Sequence, residues 1–534
     1  MPIASPPTPA PSPGPILTNT IFTDSLHSNK PRPVSYDPAN WSRIEFANLA
    51  ALGPASRKRY LISILNDCTP SELLFISQTI APMLRRDFLT ELPPEIAIHI
   101  LSFVDDPKTL TRASQVSKRW HDLVQDEWLW KIMCDIYSFK LDADSIRDEV
   151  DADDESTSNS LSYRKCFQHA YCIMSNMRRG GTLLRSHRMP IANPDGGVVT
   201  SVALDSDRVI VGCANSKIHI YSVNTGILCR TLTGHDLGVW AVHLVSRGRP
   251  SDLCCTSEGW GQPNPIVVSG GCDKTLRVWD AVSGHCIYVL REHTSTIRCI
   301  RVLHNRPIAV TGSRDTTLRV WNIQKGRMLR LLQGHSQSVR CLDVCGNRVV
   351  SGSYDATCRI WNVDTGKCLH VLVGHEQEIY SVAFDGIHVA SGGMDTTVRV
   401  WDAKSGQCIA LLQGHTALVC QLQLSPTAGL LATGGSDGRV ITFDLHKYTS
   451  LQRIAAHDSS VTSLQFDSNF LVTGGNDGRV RMYETQSGAY VRDLSERCES
   501  VWKVACKGGT CAIMCKRSGK TVIEIWTFRP KLHH

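Results

Sequence analysis

Little in this chain points to chemistry of its own. No stretch approaches the roughly 18 apolar residues that a membrane helix needs. The proline-rich N-terminus has none of the apolar run of a secretory leader, so neither a span nor a leader is expected. A Gly-rich phosphate loop, a nucleophile beside a base and a cluster of metal ligands are all missing, which leaves no catalytic residue, metal site or cofactor to nominate. Cys-x-x-Cys pairs are absent too, so the 21 cysteines do not read as zinc ligands. A disulfide framework belongs to short secreted chains. Cys229, Cys286, Cys368 and Cys408 instead recur near the same place in successive repeats, where a small buried apolar residue fits a strand. Buried free thiols are the expectation, and with them a reducing compartment, nucleus or cytoplasm. Arg57-Lys58-Arg59 is too short a basic run to decide between the two. The net charge of +7 is mild and spread along the chain; it hints at an anionic partner without naming one.

What is present begins with ten prolines in residues 1–38, so residues 1–40 are expected to stay disordered. Over 41–86 the pattern turns helical: Tyr60, Ile64 and Cys68, then Leu73, Leu74, Ser77, Ile80, Ala81 and Leu84 fall at three- and four-residue spacing. Asp67 and Pro70 break the stretch into two helices, with Ser71 in the first turn of the second. The pair has an apolar face but too little mass to stand alone, so it must pack on the next segment or on a second copy of itself. Residues 87–139 read as three short helices. Pro93 and Pro94 open the first, which Ile96, Ile100, Leu101 and Val104 line; Asp106 and Pro107 start the second. Val116, Trp120, Leu123 and Val124 supply the apolar face of the third. Residues 140–180 hold an acidic stretch, Asp142 to Glu155, read as a solvated loop. A connecting helix follows, its stripe running through Tyr163, Phe167, Ala170, Tyr171, Met174 and Met177.

From 181 to 530 the chain is a repeat array. Closing pairs stand at Tyr221-Ser222, Trp279-Asp280, Trp321-Asn322, Trp361-Asn362, Trp401-Asp402, Phe443-Asp444, Tyr483-Glu484 and Trp526-Thr527, at intervals of 40 to 43 residues with a single exception of 58. Histidines 235, 293, 335, 375, 415 and 457 open six of the units. That period with those ends is the signature of WD-repeat blades, and eight strand ends predict eight blades. The fold class expected is thus an all-α N-terminal part followed by an all-β eight-bladed propeller. Gly181 to Pro190 is placed to return to the last blade as its fourth strand and close the ring, which removes open sheet edges. The long interval carries a Gly/Pro/Ser-rich insertion around 247–265, expected at the surface.

In a quasi-symmetric array, a residue found in every blade belongs to the scaffold. His235 to His457 recur with Asp273, Asp315, Asp355, Asp395, Asp437 and Asp477, and with the Trp they satisfy buried polar groups between strands. The arginines before the Trp (277, 319, 359 and 399) repeat as well. Two positions vary. One opens each inner strand: Thr200, Trp240, Arg298, Arg340, Tyr380, Cys420, Thr462, Trp502. The other precedes the repeated Asp: Ala214, Cys272, Arg314, Tyr354, Met394, Ser436, Asn476. Both are expected near one mouth of the central channel. Arg298, Arg314 and Arg340 fall there in adjacent blades with no carboxylate among the neighbouring variable residues, an arrangement that suits a dianion. Phosphate carries about −1.5 to −2 charge and matches arginine forks. Charge-assisted bonds of roughly 1.5–3 kcal/mol each would let three arginines supply most of a micromolar affinity, about 8 kcal/mol. Nucleic acid, which wants a broad basic stripe, fits this compact patch poorly.

Leu92 to Lys131, LPPEIAIHILSFVDDPKTLTRASQVSKRWHDLVQDEWLWK, closely resembles an F-box, and the stretches TGSRDTTLRVW, SGSYDATCRIW and IYSVAFDGIHVASGGMDTTVRVWD resemble the propeller of the cell-division-control-four and F-box and WD-repeat protein seven family. The resemblance implies a substrate receptor of a Skp–cullin–F-box ubiquitin ligase, with no catalysis by this chain. By implication Leu92, Pro93, Ile96, Ile100, Leu101 and Trp120 dock a Skp-type adaptor, and through it a cullin, or support that docking. Arg298, Arg314 and Arg340 would hold the phosphate of a phosphothreonine-proline motif in phosphorylated protein substrates. Arg517 would meet a second phosphate, while Trp240, Tyr354, Tyr380 and Trp502 shape the adjoining pocket. Residues 41–86 resemble the family's dimerisation segment, which implies a homodimer. The alternatives are a ligase receptor for doubly phosphorylated serine motifs or a regulator of sulfur metabolism, and, in another class, a WD-repeat scaffold outside any ligase.

Overall fold

The computed structural model describes residues 53–84, 87–139, 162–189, 197–247, 259–425 and 429–530. The proline-rich tail, residues 41–52, the acidic stretch and the middle of the insertion lie outside the described residues. Contacts divide the chain into two units, 1–88 and 89–534. In the first, α1 (Pro54–Asp67) and α2 (Pro70–Leu84) are separated at Cys68-Thr69. Thr69 and Glu72 form a reciprocal cap: the Thr69 N–H donates to Glu72 Oε2 at 2.8 Å, and the Glu72 N–H donates to Thr69 Oγ1 at 3.4 Å. The hairpin leaves Leu61, Ile62, Leu74 and Phe75 exposed.

A turn at Phe88–Glu91 (α3) precedes α4 (Pro94–Leu101), α5 (Pro107–Ala113), α6 (Lys118–Val124) and α7 (Glu127–Ile136). Two helical pieces, α3 and α7, therefore join the three expected. The Asp126 carboxylate caps α7 by accepting the Trp128 N–H at 2.9 Å, and the helix buries Leu129, Trp130, Met133 and Cys134. The apolar stripe on α4 splits. Ala97 and Leu101 enter the core, while Ile96 and Ile100, a step round the helix, face outward. Val116 lies in the turn before α6 and is exposed rather than part of its packed face.

Helix α8 (Tyr163–Arg179) ties the helical layer to the sheets. Phe167, Tyr163 and Tyr171 belong to the helical core; Ile173, Met174 and Met177 pack into blades 7 and 8. Asn176 Nδ2 donates to Phe528 O at 2.8 Å, and Ser468 Oγ donates to Ser138 O at 3.2 Å.

Eight four-stranded sheets make the blades. Blades 1 to 7 run over 199–232, 239–290, 297–332, 339–373, 379–412, 419–455 and 461–493; blade 8 combines 500–527 with Thr182–Arg188. That last strand pairs antiparallel with Lys520–Thr527, Thr182 opposite Thr527 and Arg188 opposite Val522, so the two ends of the array share a sheet. Gly181 permits the approach: a Cβ there would stand 2.4 Å from the Phe528 ring.

The repeated polar residues are scaffold. In blade 4, His335 Nδ1 meets Asp355 Oδ2 at 2.7 Å, His335 Nε2 meets Ser351 Oγ at 2.8 Å, and Trp361 Nε1 donates to Ser351 Oγ at 2.9 Å. Blades 2, 3 and 5 repeat the network around His235, His293 and His375. Blades 6 and 7 keep the His–Asp pair, with Phe443 and Tyr483 in place of Trp.

The thiols depart from expectation. Cys229, Cys368 and Cys408 are exposed and Cys286 is half-buried, because this repeat position lies on the outermost strand of each blade, away from the inter-sheet core. There the thiols of Cys286, Cys368 and Cys408 donate to carbonyls two residues on. The buried cysteines are others, among them Cys213, Cys358 and Cys515, and the described cysteines are free.

Candidate functional site

One backbone device sets the mouth of the channel. In every blade a residue near the start of the innermost strand, the second in blades 1 to 7 and the third in blade 8, is an extra residue at a register shift: the shifts fall at 199/201, 239/241, 297/299, 339/341, 379/381, 419/421, 461/463 and 501/503. A bulge of this kind turns its side chain out of the ladder. In three blades the bulged residue knits neighbours together. Thr200 and Thr462 donate to Val239 O and Val501 O, and the Cys420 thiol donates to Val461 O. In the other five it is large: Trp240, Arg298, Arg340, Tyr380 or Trp502.

The second variable position reaches the same mouth. Ile297 pairs with Ser313, and the Arg314 N–H donates to Thr296 O at 2.9 Å, so Arg298 and Arg314 share one end of blade 3. Blade 4 repeats the arrangement, its Tyr354 N–H donating to Ser338 O at 3.0 Å beside Arg340.

The charges there lack counterions. Among the described residues Arg301 pairs with Asp343 at 3.2 Å, Arg306 with Asp364 at 2.6 Å and Arg319 with Glu292 at 3.4 Å, while Arg298, Arg314 and Arg340 enter no ion pair. Aromatic rings take the place of carboxylates. The Arg298 guanidinium lies 5.0 Å from the centre of the Trp240 ring, with its Nε buried and without a hydrogen-bond partner. Arg340 lies 5.8 Å from the Tyr380 ring, which packs on Tyr354 at 5.3 Å. Burial raises the Tyr380 phenol, helped by its hydrogen bond with Tyr354. Burial pushes the adjoining Cys299 thiol up to about 12, opposed by the charges of Arg340, Arg301 and Arg298.

Two predicted residues stand apart. Arg517, at the matching turn of blade 8, is held by Glu496 and Glu524, each at 3.0 Å. Trp502 is half-buried against the core between blades 8 and 1. A cavity of about 590 Å³ opens beside Tyr354, walled by Ser336, Gln337, Glu376, Glu378 and Met394. Its two glutamates lie in the loop between blades 4 and 5, outside the positions that repeat comparison examines.

The helical layer carries the second candidate surface. Pro93, Ile96 and Ile100 are exposed, Leu92 and Trp120 are half-buried, and Leu101 is in the core as support. Phe103, 77% exposed, lies just past the end of α4 and was missed, because helical spacing stops where the helix does.

Comparison with known proteins agrees with this layout. Residues 89–135 match the F-box-like family, and 226–280, 284–322, 326–362, 366–402, 406–444 and 448–484 match the WD domain, G-beta repeat. The first three strands of blade 1 (199–222) and the whole of blade 8 lie outside those six matches. WD repeat-containing protein pop1 of Schizosaccharomyces pombe is 30% identical over 47% of this chain and 30% of its own length. F-box/WD repeat-containing protein 7 of Drosophila melanogaster is 33% identical over 33% of this chain and 13% of its own. The probable E3 ubiquitin ligase complex SCF subunit sconB of Neosartorya fischeri is 44% identical over 15% of this chain and 11% of its own. The chain thus spans less than a third of the length of these three relatives. The crystal structure of the computationally designed Ika8 protein superposes with a TM-score of 0.55 at 29% identity, covering 65% of this chain and 99% of the designed one.

Proposed function

This chain belongs to the F-box and WD-repeat proteins, and on that premise we propose that it is the substrate-recognition subunit of a Skp–cullin–F-box ubiquitin ligase that reads phosphothreonine-proline motifs. The observation that carries the reading is the mouth of the propeller: three arginines on adjacent blades, outside any ion pair among the described residues, two of them backed by aromatic rings. A dianionic phosphate supplies the missing counter-charge, and guanidinium forks match its oxygens. Trp240, Tyr354 and Tyr380 form the apolar margin for residues flanking the phosphate, whereas Trp502 packs against the core between blades 8 and 1.

The exposed Pro93, Ile96 and Ile100 dock a Skp-type adaptor, which links the chain to a cullin. Ubiquitin transfer then occurs on a bound target by an enzyme carried elsewhere in the complex; this chain contributes position and no bond-making group. A homodimer forms through the segment at 41–86. Free thiols are in keeping with the nucleus or cytoplasm. Arg517 has two carboxylate partners, so a second phosphate would have to displace Glu496, whose side chain is 89% exposed.

The test is titration of the full chain with a Leu-Leu-phosphoThr-Pro-Pro peptide and its unphosphorylated twin. The expected result is affinity for the phosphorylated form alone, about micromolar or tighter, weakened by salt and lost in Arg340→Ala. Equal binding of the twins overturns the degron assignment. A doubly phosphorylated serine motif is the second reading, and a peptide of that kind added to the same series separates the two.

A further inference from the structure

The inner hairpin of each blade breaks its own rule at one more place. Four residues on from the bulge, seven blades set an apolar residue opposite an apolar residue, Leu204 opposite Val209, Val344 opposite Val349 and Phe466 opposite Leu471 among them. In blade 8 the same place holds Cys506 opposite Cys511.

The turn brings these two sulfurs together. Gly508 and Gly509, at φ of 56° and 76°, make a two-residue loop that Lys507 opposite Thr510 closes. The closing pair takes the ladder hydrogen bonds, so the next pair is of the non-hydrogen-bonded kind, with Cα atoms about 4.5 Å apart and side chains on one face. Disulfides accept Cα separations of roughly 4.4–6.8 Å. The Cys506 thiol donates to Cys511 Sγ at 2.8 Å. Cys511 is buried and Cys506 half-buried, so one of the two sulfurs is open to a small solute. Filling space as a small hydrophobe is the ordinary use of a free cysteine, and a single thiol here would need no other account. Two thiols in contact, where seven blades hold none, carry chemistry that neither has alone.

We infer that Cys506 and Cys511 are a modification site, a dithiol that hydroperoxides convert to a disulfide and thiol reductants restore. Hydrogen peroxide gives one oxygen to the Cys506 sulfur, leaving a sulfenic acid and releasing one water. Cys511 attacks that sulfur; the S–S bond forms as the S–O bond breaks, and the hydroxyl leaves with the Cys511 proton as a second water. Two electrons pass from the thiols to the peroxide, whose O–O bond breaks. The hydrogen bond to Cys511 and burial hold the Cys506 thiol well above its ordinary value, so little of it is thiolate at neutral pH and the conversion calls for excess peroxide.

The place of the pair gives the bond a mechanical meaning. Both cysteines pack in the core that α8 completes with Ile173 and Met177. At the hairpin tip Gly509 O accepts the Phe528 N–H at 2.7 Å, and Phe528 O accepts Asn176 Nδ2 of α8 at 2.8 Å. A cross-link one pair below the tip staples the seat of α8, at the far end of the inner strand from the bulge.

The experiment treats the folded full chain with excess hydrogen peroxide, alkylates the remaining thiols and digests with trypsin. Cleavage after Lys503, Lys507 and Lys516 puts the two cysteines on separate peptides. The expected product is a disulfide joining peptide 504–507 to peptide 508–516, with fragmentation placing the second sulfur at Cys511 and dithiothreitol releasing the link. Cys511→Val, which installs the residue that blades 1, 4 and 5 carry there, is expected to abolish the link and carry Cys506 on to sulfinic acid. Cys506 and Cys511 both recovered alkylated, after the exposed Cys368 and Cys408 have oxidised, overturns the inference. Cys506 recovered as sulfinic acid in the parent does so too, as does a link that runs to Cys515 or survives in Cys511→Val.

Discussion

At the scale of single residues, the same side-chain types serve opposite ends according to their partners. Arg301 and Arg319 are paired and hold the scaffold, whereas Arg298 and Arg340 are backed by rings and enter no ion pair among the described residues. Histidines follow the same division. Burial keeps His375, His415 and His457 below the usual imidazole range despite their aspartate partners, and brings His219 down to about 4 and His243 to about 3. Burial also opposes ionisation of Asp355, but its hydrogen bonds from His335 and Thr357 prevail and hold the carboxyl below its ordinary value. For a depressed histidine, the unfolded chain takes up protons below about pH 6.5 that the folded chain refuses, so stability falls with pH from there toward the folded value. For a depressed aspartate the loss comes lower, below about pH 4, with the same sign. Thermal melts are therefore expected to hold a steady midpoint between pH 8 and 7 and to decline progressively below about 6.5. His243→Gln is expected to flatten part of that decline. A midpoint unchanged from pH 7 to 5 would contradict the assignment.

Among elements, the bulge at the start of each inner strand and the hairpin α1–α2 carry the functional argument. The bulge separates a bulged residue that stitches blades, as Thr200 and Thr462 do, from one that faces the mouth. The hairpin has a helical apolar pattern and no buried residue in α1, with Leu61 48%, Leu74 60% and Phe75 68% exposed. A helix pair of this length is marginal alone, and its apolar area asks for a second copy. Light scattering on the full chain is expected to give a dimer mass, and Leu74→Asp with Phe75→Asp a monomer that still binds the phosphopeptide. A monomeric parent at micromolar concentration would sink the proposed homodimer.

For the whole molecule, strand direction decides which face does what. Inner strands start at the arginine mouth and run away from it. The turns at Ser468 and Gly509, and the strand ends at Glu484 and Phe528, lie at the other end, and it is there that Ser138 and α8 attach. The F-box-like helices and the arginine mouth therefore belong to opposite faces of the ring, joined by one helix whose ends are packed in two cores. On the proposed function α8 fixes the position of a target relative to the ubiquitin donor. Ala170→Pro, between the two packed halves, removes one helical hydrogen bond and costs about 3 kcal/mol or more of helix stability. Phosphopeptide and adaptor binding are expected to persist while ubiquitin transfer to the target drops several-fold in a reconstituted ligase. Transfer at the parent rate would mean the strut does not set the distance.

The repeat period, the strand ends, the scaffold histidines and aspartates and the three arginines were all legible in the sequence, because quasi-symmetry lets each blade act as a control for the others. Ring closure was legible too, since the last blade needs a fourth strand that Gly181 to Pro190, just before the first repeat, is well placed to supply. Other features needed the tertiary structure. Cys229, Cys368 and Cys408 sit in a regular pattern, yet pattern cannot tell an outermost strand from a buried one. The engagement of Arg517 by Glu496 and Glu524 joins three separate stretches of blade 8. The insertion in blade 2 was open to either face; its described ends, Ser246-Arg247 and Gly259–Pro265, lie where the inner strand finishes, away from the arginines. Asn176 meets Phe528 across 352 positions of sequence, and which helix docks on which blade is a property of the whole fold that no local spacing encodes.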